Sequence, residues 1–357
     1  MGALVDRGDR RRLLYLANFS RALLFALVTV LVILHAAPLA ALYIIYAAMG
    51  VIESLSDSST FAVLPQAVAP GGLDRANAQI AGTQIIVDEF VGPPLGGLLF
   101  GLAAFAPTGL NAIAFLAAGI SYFLLRGDYT RPIDATAPRT SILADIREGA
   151  EWTLSHVVLR TLIIVGTLAS IGYMIPFSYL VLYANDTLGL DATGYGLLLS
   201  FSAVGGLAGT WVAGKLKKRL GYGWSILGAL SLGAAAFITI SLSRNIIVVA
   251  IALAAYICHS MVWNVLASSV RHKATPNAIM GRVNSMSRLL GLLGLALGAF
   301  LGGSLAGLFG LQLPFFVAGC LFIAAGLVCL VAMPHFRTWE RDQRQREAEA
   351  ALQQVAD

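Results

Sequence analysis

The sequence predicts an all-α polytopic membrane protein of about ten transmembrane helices, arranged as two pseudo-symmetric bundles of four and six. Three observations carry that prediction. The chain is 58% hydrophobic and 12% charged, with mean hydropathy +0.78. That is too little polar residue to coat a soluble globule, whereas lipid accepts an apolar exterior. Ten apolar stretches are each long enough, at about 20 residues, to cross hydrocarbon. Loop and helix signatures also recur at a nearly fixed offset in the two halves.

The stretches run over 14–35, 38–62, 78–104, 108–126, 161–184, 193–214, 223–242, 246–270, 281–308 and 312–334. Before the first lies a short polar loop, Met1 to Arg12. There Gly2 allows close backbone approach, Asp6 can cap a helix start and pair with Arg7, and Arg10, Arg11 and Arg12 favour the cytoplasmic face. Basic residues ahead of an apolar run mimic a secretory signal, but no small-residue cleavage site precedes a soluble domain, so the first stretch reads as a permanent helix. Basic residues fill alternate loops: 7–12, Arg75, 126–160, 215–219, 271–282 and the tail after His335. The intervening loops contain only Arg244, so both ends are expected in the cytoplasm. The resulting organisation is an N-terminal bundle over 1–126, a central cytoplasmic loop over 127–160, a six-helix bundle over 161–334 and a solvated helical tail over 335–357.

Several function classes are excluded by what the residues lack. The net charge of +5 resides in short loops, where the membrane explains it without a nucleic-acid partner. Cys258, Cys320 and Cys329 lie in apolar runs without CxxC spacing, which indicates neither a disulfide framework nor a metal site. There is no GxxxxGK[ST] loop, HExxH helix or GxSxG elbow. Neither an enzyme nor a cofactor is expected.

The internal repeat has two independent parts. Gly214, Leu216 and Arg219 repeat Gly2, Leu4 and Arg7 at an offset of 212, with Lys218 in place of Asp6. Arg75 and Asn77 followed by Gly92, Gly96 and Gly97 recur as Arg282 and Asn284 followed by Gly298, Gly302 and Gly303. Two halves of parallel topology are implied.

The third stretch holds the most chemistry. Pro93 and Pro94 remove backbone donors, and Gly92, Gly96 and Gly97 let a neighbour approach. Asp88 and Glu89 stand about eleven residues into it, near the bilayer midplane. A charge there costs about 2.5 to 3.5 kcal/mol, so it must face a cavity, pair with Arg or be protonated. Neighbours in a helix point about 100° apart, so the two cannot share one cavity equally. Asp88 is the expected proton-titrating or substrate-facing group, against an alternative of a plain interhelical bond for either. Arg21, Glu53, Asp57 and Arg288 are further charges in apolar stretches. Glu53 and Asp57 share a helix face and would repel unless a proton or cation intervenes, the cation being an opening-loop Arg or Arg21. His259 and Trp263, one turn apart, are candidates for substrate contact or packing.

With these residues in place, the opening loop resembles the GxLxDRxGRR signature of the major facilitator superfamily, carried by Gly2, Leu4, Asp6, Arg7, Arg10 and Arg11, with Asp9 where the family has a second Gly. Gly92, Pro93, Gly96 and Gly97 resemble the GPxxGG core of the antiporter motif of proton-coupled drug exporters, with Asp88 where that motif has an earlier Gly. The segments LPQAVAP, RANAQ and GRVNSMSR look like the exporter branch that includes enterobactin and macrolide efflux proteins. The resemblance implies a major facilitator fold in a bacterial cytoplasmic membrane. It also implies a monomer that works by alternating access, using a proton gradient to export an amphipathic small molecule that is drug, macrolide or siderophore-like. In it the opening loop and its copy at Gly214 and Arg219 would serve conformational change, while Asp88, Glu89, Glu53, Asp57 and Arg21 would serve coupling. It implies further that the chain begins where a full family member has already crossed the membrane twice. A reading from another class, a non-transporting membrane interaction or sensing protein, is separated from it by a transport assay in vesicles.

Overall fold

The computed structural model describes residues 9–68, 72–85, 87, 91–125, 150–276 and 279–356, and they are helical almost throughout. Gly2, Asp6, Arg7, Asp88 and Glu89 lie outside the described residues. Two compact units divide the chain: Met1–Pro138 with Ala192–Gly196, and Arg139–Asp191 with Leu197–Asp357.

The first unit contains α1 (Arg10–Ile33), α2 (Leu39–Ala67), α3 (Leu73–Ile85), α4 (Gly92–Leu102) and α5 (Ala106–Leu124). Helix α1 starts earlier than its apolar pattern. The carboxylate of Asp9 accepts from the amides of Arg11 at 3.0 Å and Arg12 at 3.4 Å, and this cap draws the three arginines into the helix. The expected loop arginines are thus first-turn helical residues, and Asp9, the residue that departs from the family signature, supplies the cap. Helix α1 packs on α2 and α5: Tyr15 meets Phe123 edge-on at 5.5 Å, Phe25 stacks on Phe115 at 5.5 Å, and Thr29 Oγ1 hydrogen-bonds Thr108 Oγ1 at 2.9 Å. The third predicted span is described as two helices, α3 and α4, with Val87 and Val91 in wide π-type turns before the proline pair.

The second unit contains α6 (Val157–Phe177), α7 (Leu180–Asp186), α8 (Ala192–Leu242, of which the first five residues group with the first unit), α9 (Ile246–Ala274), α10 (Met280–Phe309), α11 (Leu313–Val331) and α12 (Met333–Ala356). Two predicted spans are joined in α8, because Lys215–Arg219, expected as a loop, is helical. The helical path breaks only at Gly221, whose φ of 79° and ψ of −178° suit a residue without a side chain. Helix α6 ends at Phe177, one residue past its internal Pro176. Tyr179 and Tyr183, both buried, anchor the following turn by donating to the carbonyls of Leu311 and Ser243 at 3.0 Å each. Phe237, Tyr256, Phe315 and Phe322 form the aromatic centre of this unit.

Seven described helices are long and apolar enough to cross a membrane, and one of them, the 51-residue α8, carries two of the predicted spans. In α2 the described apolar stretch is Leu39–Glu53, and the third predicted span is described in two pieces, Leu73–Ile85 and Gly92–Leu102. Residues such as Leu102 (82% exposed), Val331 (80%) and Leu242 (79%) give the lipid-facing surface. The tail corrects its expectation: Met333, Phe336 and Trp339 are buried, so its first two turns are docked on the bundle and not solvated all round.

Candidate functional site

In the first unit the polar groups of interest lie at the start and in the middle of α1. At its start, the Arg11 guanidinium donates to the Phe123 carbonyl at the C-terminal end of α5 and lies 5.9 Å from the Phe123 ring centroid. A cation there satisfies a carbonyl that the helix itself leaves free. Arg10 is 5% exposed. About three turns further on, in an apolar setting, Arg21 Nη2 stands 3.6 Å from Glu53 Oε1, with the guanidinium 4.0 Å from the Phe115 ring centroid. Of the predicted coupling residues, these two are brought together. Glu53 is the more exposed partner, its side chain 56% accessible against 15% for Arg21. Asp57 lies in the same helix, and its side chain is outside the described ones.

The predicted antiporter residues divide by environment. A side chain at Gly97 would meet the Ala192 carbonyl oxygen at 2.5 Å and the Gly196 Cα at 3.3 Å, so close approach depends on that glycine. Gly96 has open space beside it, and Gly92 faces the Val87 carbonyl at 2.9 Å. Pro93 falls at the first turn of α4, where a missing amide costs least.

The second unit encloses a polar cavity of about 250 Å³ between α6, α9 and α10. Thr167 and Ser170 line it from α6, Trp263 and Arg271 from α9, and Asn284 and Arg288 from α10. Arg271 Nη1 donates to Asn284 Oδ1 at 3.3 Å, which ties the end of α9 to the start of α10. Gly166 gives the Trp263 indole its place, with the ring 3.4 Å from where a Cβ would stand. Among the described residues no Asp or Glu lines this cavity, and its walls present two guanidinium groups, hydroxyls, two amides and an indole. Arg288 and Trp263 are accounted for here, whereas His259 is not. It is 2% exposed and packs edge-on against Phe322 at 5.0 Å, in space left by Gly233. Arg271 and Asn284 were missed as site residues because one reads as a helix-end cation and the other only as part of the repeat.

His156, outside the membrane spans, caps α6 through Nδ1, which accepts from the Leu159 amide at 3.5 Å. Burial lowers its pKa below the usual 6.5, against a smaller opposing hydrogen bond to backbone.

Comparison with known proteins places this geometry. The chain is 26% identical over 346 residues to the MFS-type transporter YfiS of Bacillus subtilis (strain 168), covering 92% of this chain and 79% of that protein. It is 26% identical to the multidrug efflux pump Tap of Mycolicibacterium fortuitum (94% and 83% covered) and 24% identical to the enterobactin exporter EntS of Escherichia coli O1:K1 / APEC (95% and 80% covered). Among solved structures, a bacterial homologue of the lysosomal transporter Spinster, inward-facing and unoccupied, superposes with TM-score 0.73 at 12% identity, covering 94% of this chain and 85% of that one. An inward-facing bacterial homologue of the iron transporter ferroportin gives 0.64 at 19% identity, with 92% and 84% covered. The family model described as Major Facilitator Superfamily matches residues 1–294. The helical membrane fold, the repeated halves and this match together make the chain a secondary transporter belonging to the Major Facilitator Superfamily.

Proposed function

We propose that the chain exports an amphipathic small molecule in exchange for protons, by alternating access of its two bundles. The observation that carries this reading is the polar cavity of the second unit. Two arginines, an indole and several hydroxyls line a space inside a bundle whose outer surface is apolar, and a pocket of that chemistry holds a ligand with both an aromatic face and hydrogen-bonding groups. Relatives described as a multidrug efflux pump and an enterobactin exporter support export as the direction. In this reading Arg271 and Arg288 orient polar substrate groups and Trp263 stacks on the substrate. The Arg21–Glu53 pair is a switchable contact: protonating Glu53 removes its charge and frees Arg21. Asp88 is the second proton-accepting group, and the opening loop with its copy at Gly214 and Arg219 steadies one conformation. The domain division into 1–126 and 161–334 about a central loop, a monomeric state, and a bacterial cytoplasmic membrane with the C-terminus inside complete the proposal.

The test is transport by the purified protein in proteoliposomes under an imposed pH gradient, read by accumulation of the dye Hoechst 33342 and by proton flux. Asp88→Asn and Glu53→Gln should each abolish gradient-driven movement while leaving dye binding in place. Trp263→Ala should weaken dye binding about tenfold, the loss of a stacking contact of about 1.4 kcal/mol. Unchanged gradient-driven transport in Asp88→Asn removes Asp88 from the mechanism.

A further inference from the structure

At the end of the second unit where basic residues gather, a separate pocket of about 290 Å³ lies between α8, α9 and α12. Lys217 and Lys218 line it from α8, Lys273 from the last turn of α9, and Arg344 from α12. Its wall contains Tyr222 and Trp339, which meet edge-on at 5.6 Å, with the Lys217 ammonium 5.0 Å from the Tyr222 ring centroid. Among the described residues the one carboxylate in the lining is Glu340. It is already engaged, for its Oε1 accepts from the amides of Tyr222 at 2.6 Å and Gly223 at 3.1 Å. Among the described residues no carboxylate stands within 4 Å of Lys217, Lys218 or Arg344.

The position of this pocket matters as much as its charge. Lys218 and Lys273 sit where apolar spans end, and a Tyr–Trp pair beside them is the composition found at the headgroup level of a bilayer. A cavity with four cations at that depth meets lipid phosphate before it meets a soluble anion. We propose that the pocket seats the phosphate of an anionic phospholipid, held by Lys217, Lys218, Lys273 and Arg344, and that the docked start of α12 completes it. This site is distinct from the cavity between α6, α9 and α10 and holds whatever the transported molecule is.

The experiment is a thermal melt of the full chain in a neutral detergent, titrated with short-chain phosphatidylglycerol. Short-chain phosphatidylcholine and inorganic phosphate form the parallel arms. Phosphatidylglycerol should raise Tm with saturation, and the other two should not. The double variant Lys217→Gln, Lys218→Gln should need about tenfold more phosphatidylglycerol for half the effect, and the exposed Arg344→Gln should need several-fold more. Lys215→Gln with Arg341→Gln removes two cations from the same end but outside the pocket, and should leave the titration unchanged. An equal shift with inorganic phosphate would assign the pocket to a soluble anion and overturn the lipid proposal. An equal shift with phosphatidylcholine, or an equal loss in the variant outside the pocket, overturns it as well. If the lysine variant melts lower without lipid, the Arg344→Gln titration decides alone.

Discussion

The two copies of the repeated loop solve one problem in different ways. The offset of 212 pairs Asp9 with Gly221, and each stands immediately before the first turn of a membrane helix. In the first copy Asp9 accepts from the amides of Arg11 and Arg12 through its own side chain. In the second copy Gly221 has no side chain to offer, and Glu340 from α12 accepts from Tyr222 and Gly223 instead. A local cap leaves neighbouring elements free, whereas a distant one ties α8 to the tail. The orphan amides of a helix start are a fixed demand; what can change through duplication is which residue meets it.

The glycine copies show a similar exchange. Gly96 corresponds to Gly302 and Gly97 to Gly303 at the offset of 206. In the second unit Gly302 is the tight one, a Cβ there meeting the Ile175 carbonyl oxygen at 2.1 Å, while Gly303 is open. In the first unit Gly97 is tight and Gly96 open. The comparison breaks first at these positions. Gly302→Ala should cost about 3 kcal/mol, since the obstacle is backbone and cannot rotate away, whereas Gly96→Ala should be silent. Thermal melts of the two variants in detergent check it, and equal melting points would erase the distinction.

Next in size is Gly221→Ala, expected to cost about 2 kcal/mol from its positive φ, with a Cβ placed 2.3 Å from Glu340 Oε2. The variant Gly221→Asp with Glu340→Ala sharpens the comparison by moving the cap back to its position in the first copy. It should be less destabilised than the sum of its single changes, and strict additivity would mean the two caps are not equivalent. Smaller again, Glu340→Ala should cost about 1.5 kcal/mol and Asp9→Ala about 1 kcal/mol. The order follows from the shorter bonds at Glu340, and amide exchange at residues 222 and 223 against 11 and 12 measures each cap separately.

The smallest effect concerns His156, a cap that titrates. Its folded pKa lies below the ordinary 6.5, so both folded and unfolded forms are neutral at higher pH. As pH falls through 6.5 the unfolded chain takes up a proton that the folded one resists, and stability falls with it. Protonation also removes the acceptor at Nδ1. The protection of the Leu159 amide, its exchange rate relative to the intrinsic rate at the same pH, should therefore fall below pH 6.5 in the native protein and stay constant in His156→Asn, which retains a capping oxygen.

Much of this fold is legible in the sequence because the bilayer sets so few options. Span length, basic loops and small-residue repeats are local signals, and they mark every described helix from α1 to α11. What escapes is whatever depends on contact across the chain. Lys215–Arg219 reads as a loop because it is polar, yet its backbone continues α8 up to Gly221. The tail reads as solvated because charge dominates its composition, while Met333, Phe336 and Trp339, spaced three apart, mark a buried stripe too short to raise the average. At the candidate sites Arg21 and Glu53 could be paired by their depth, but His259 and Trp263 part company although they are one turn apart. Spacing gives a shared face; it does not tell which side of that face opens on a cavity.

The Glu340 cap also has a consequence in time. The amide of Tyr222 and the carboxylate it donates to are 118 residues apart. At a synthesis rate of about 5 to 20 residues per second, the second half of α8 waits roughly 6 to 24 s for its cap. During that interval its start carries free amides at the membrane surface. The start of the second half of α8 is therefore capped only once Glu340 has emerged, although the aromatic centre of the unit, from Phe237 to Phe322, is already complete by then.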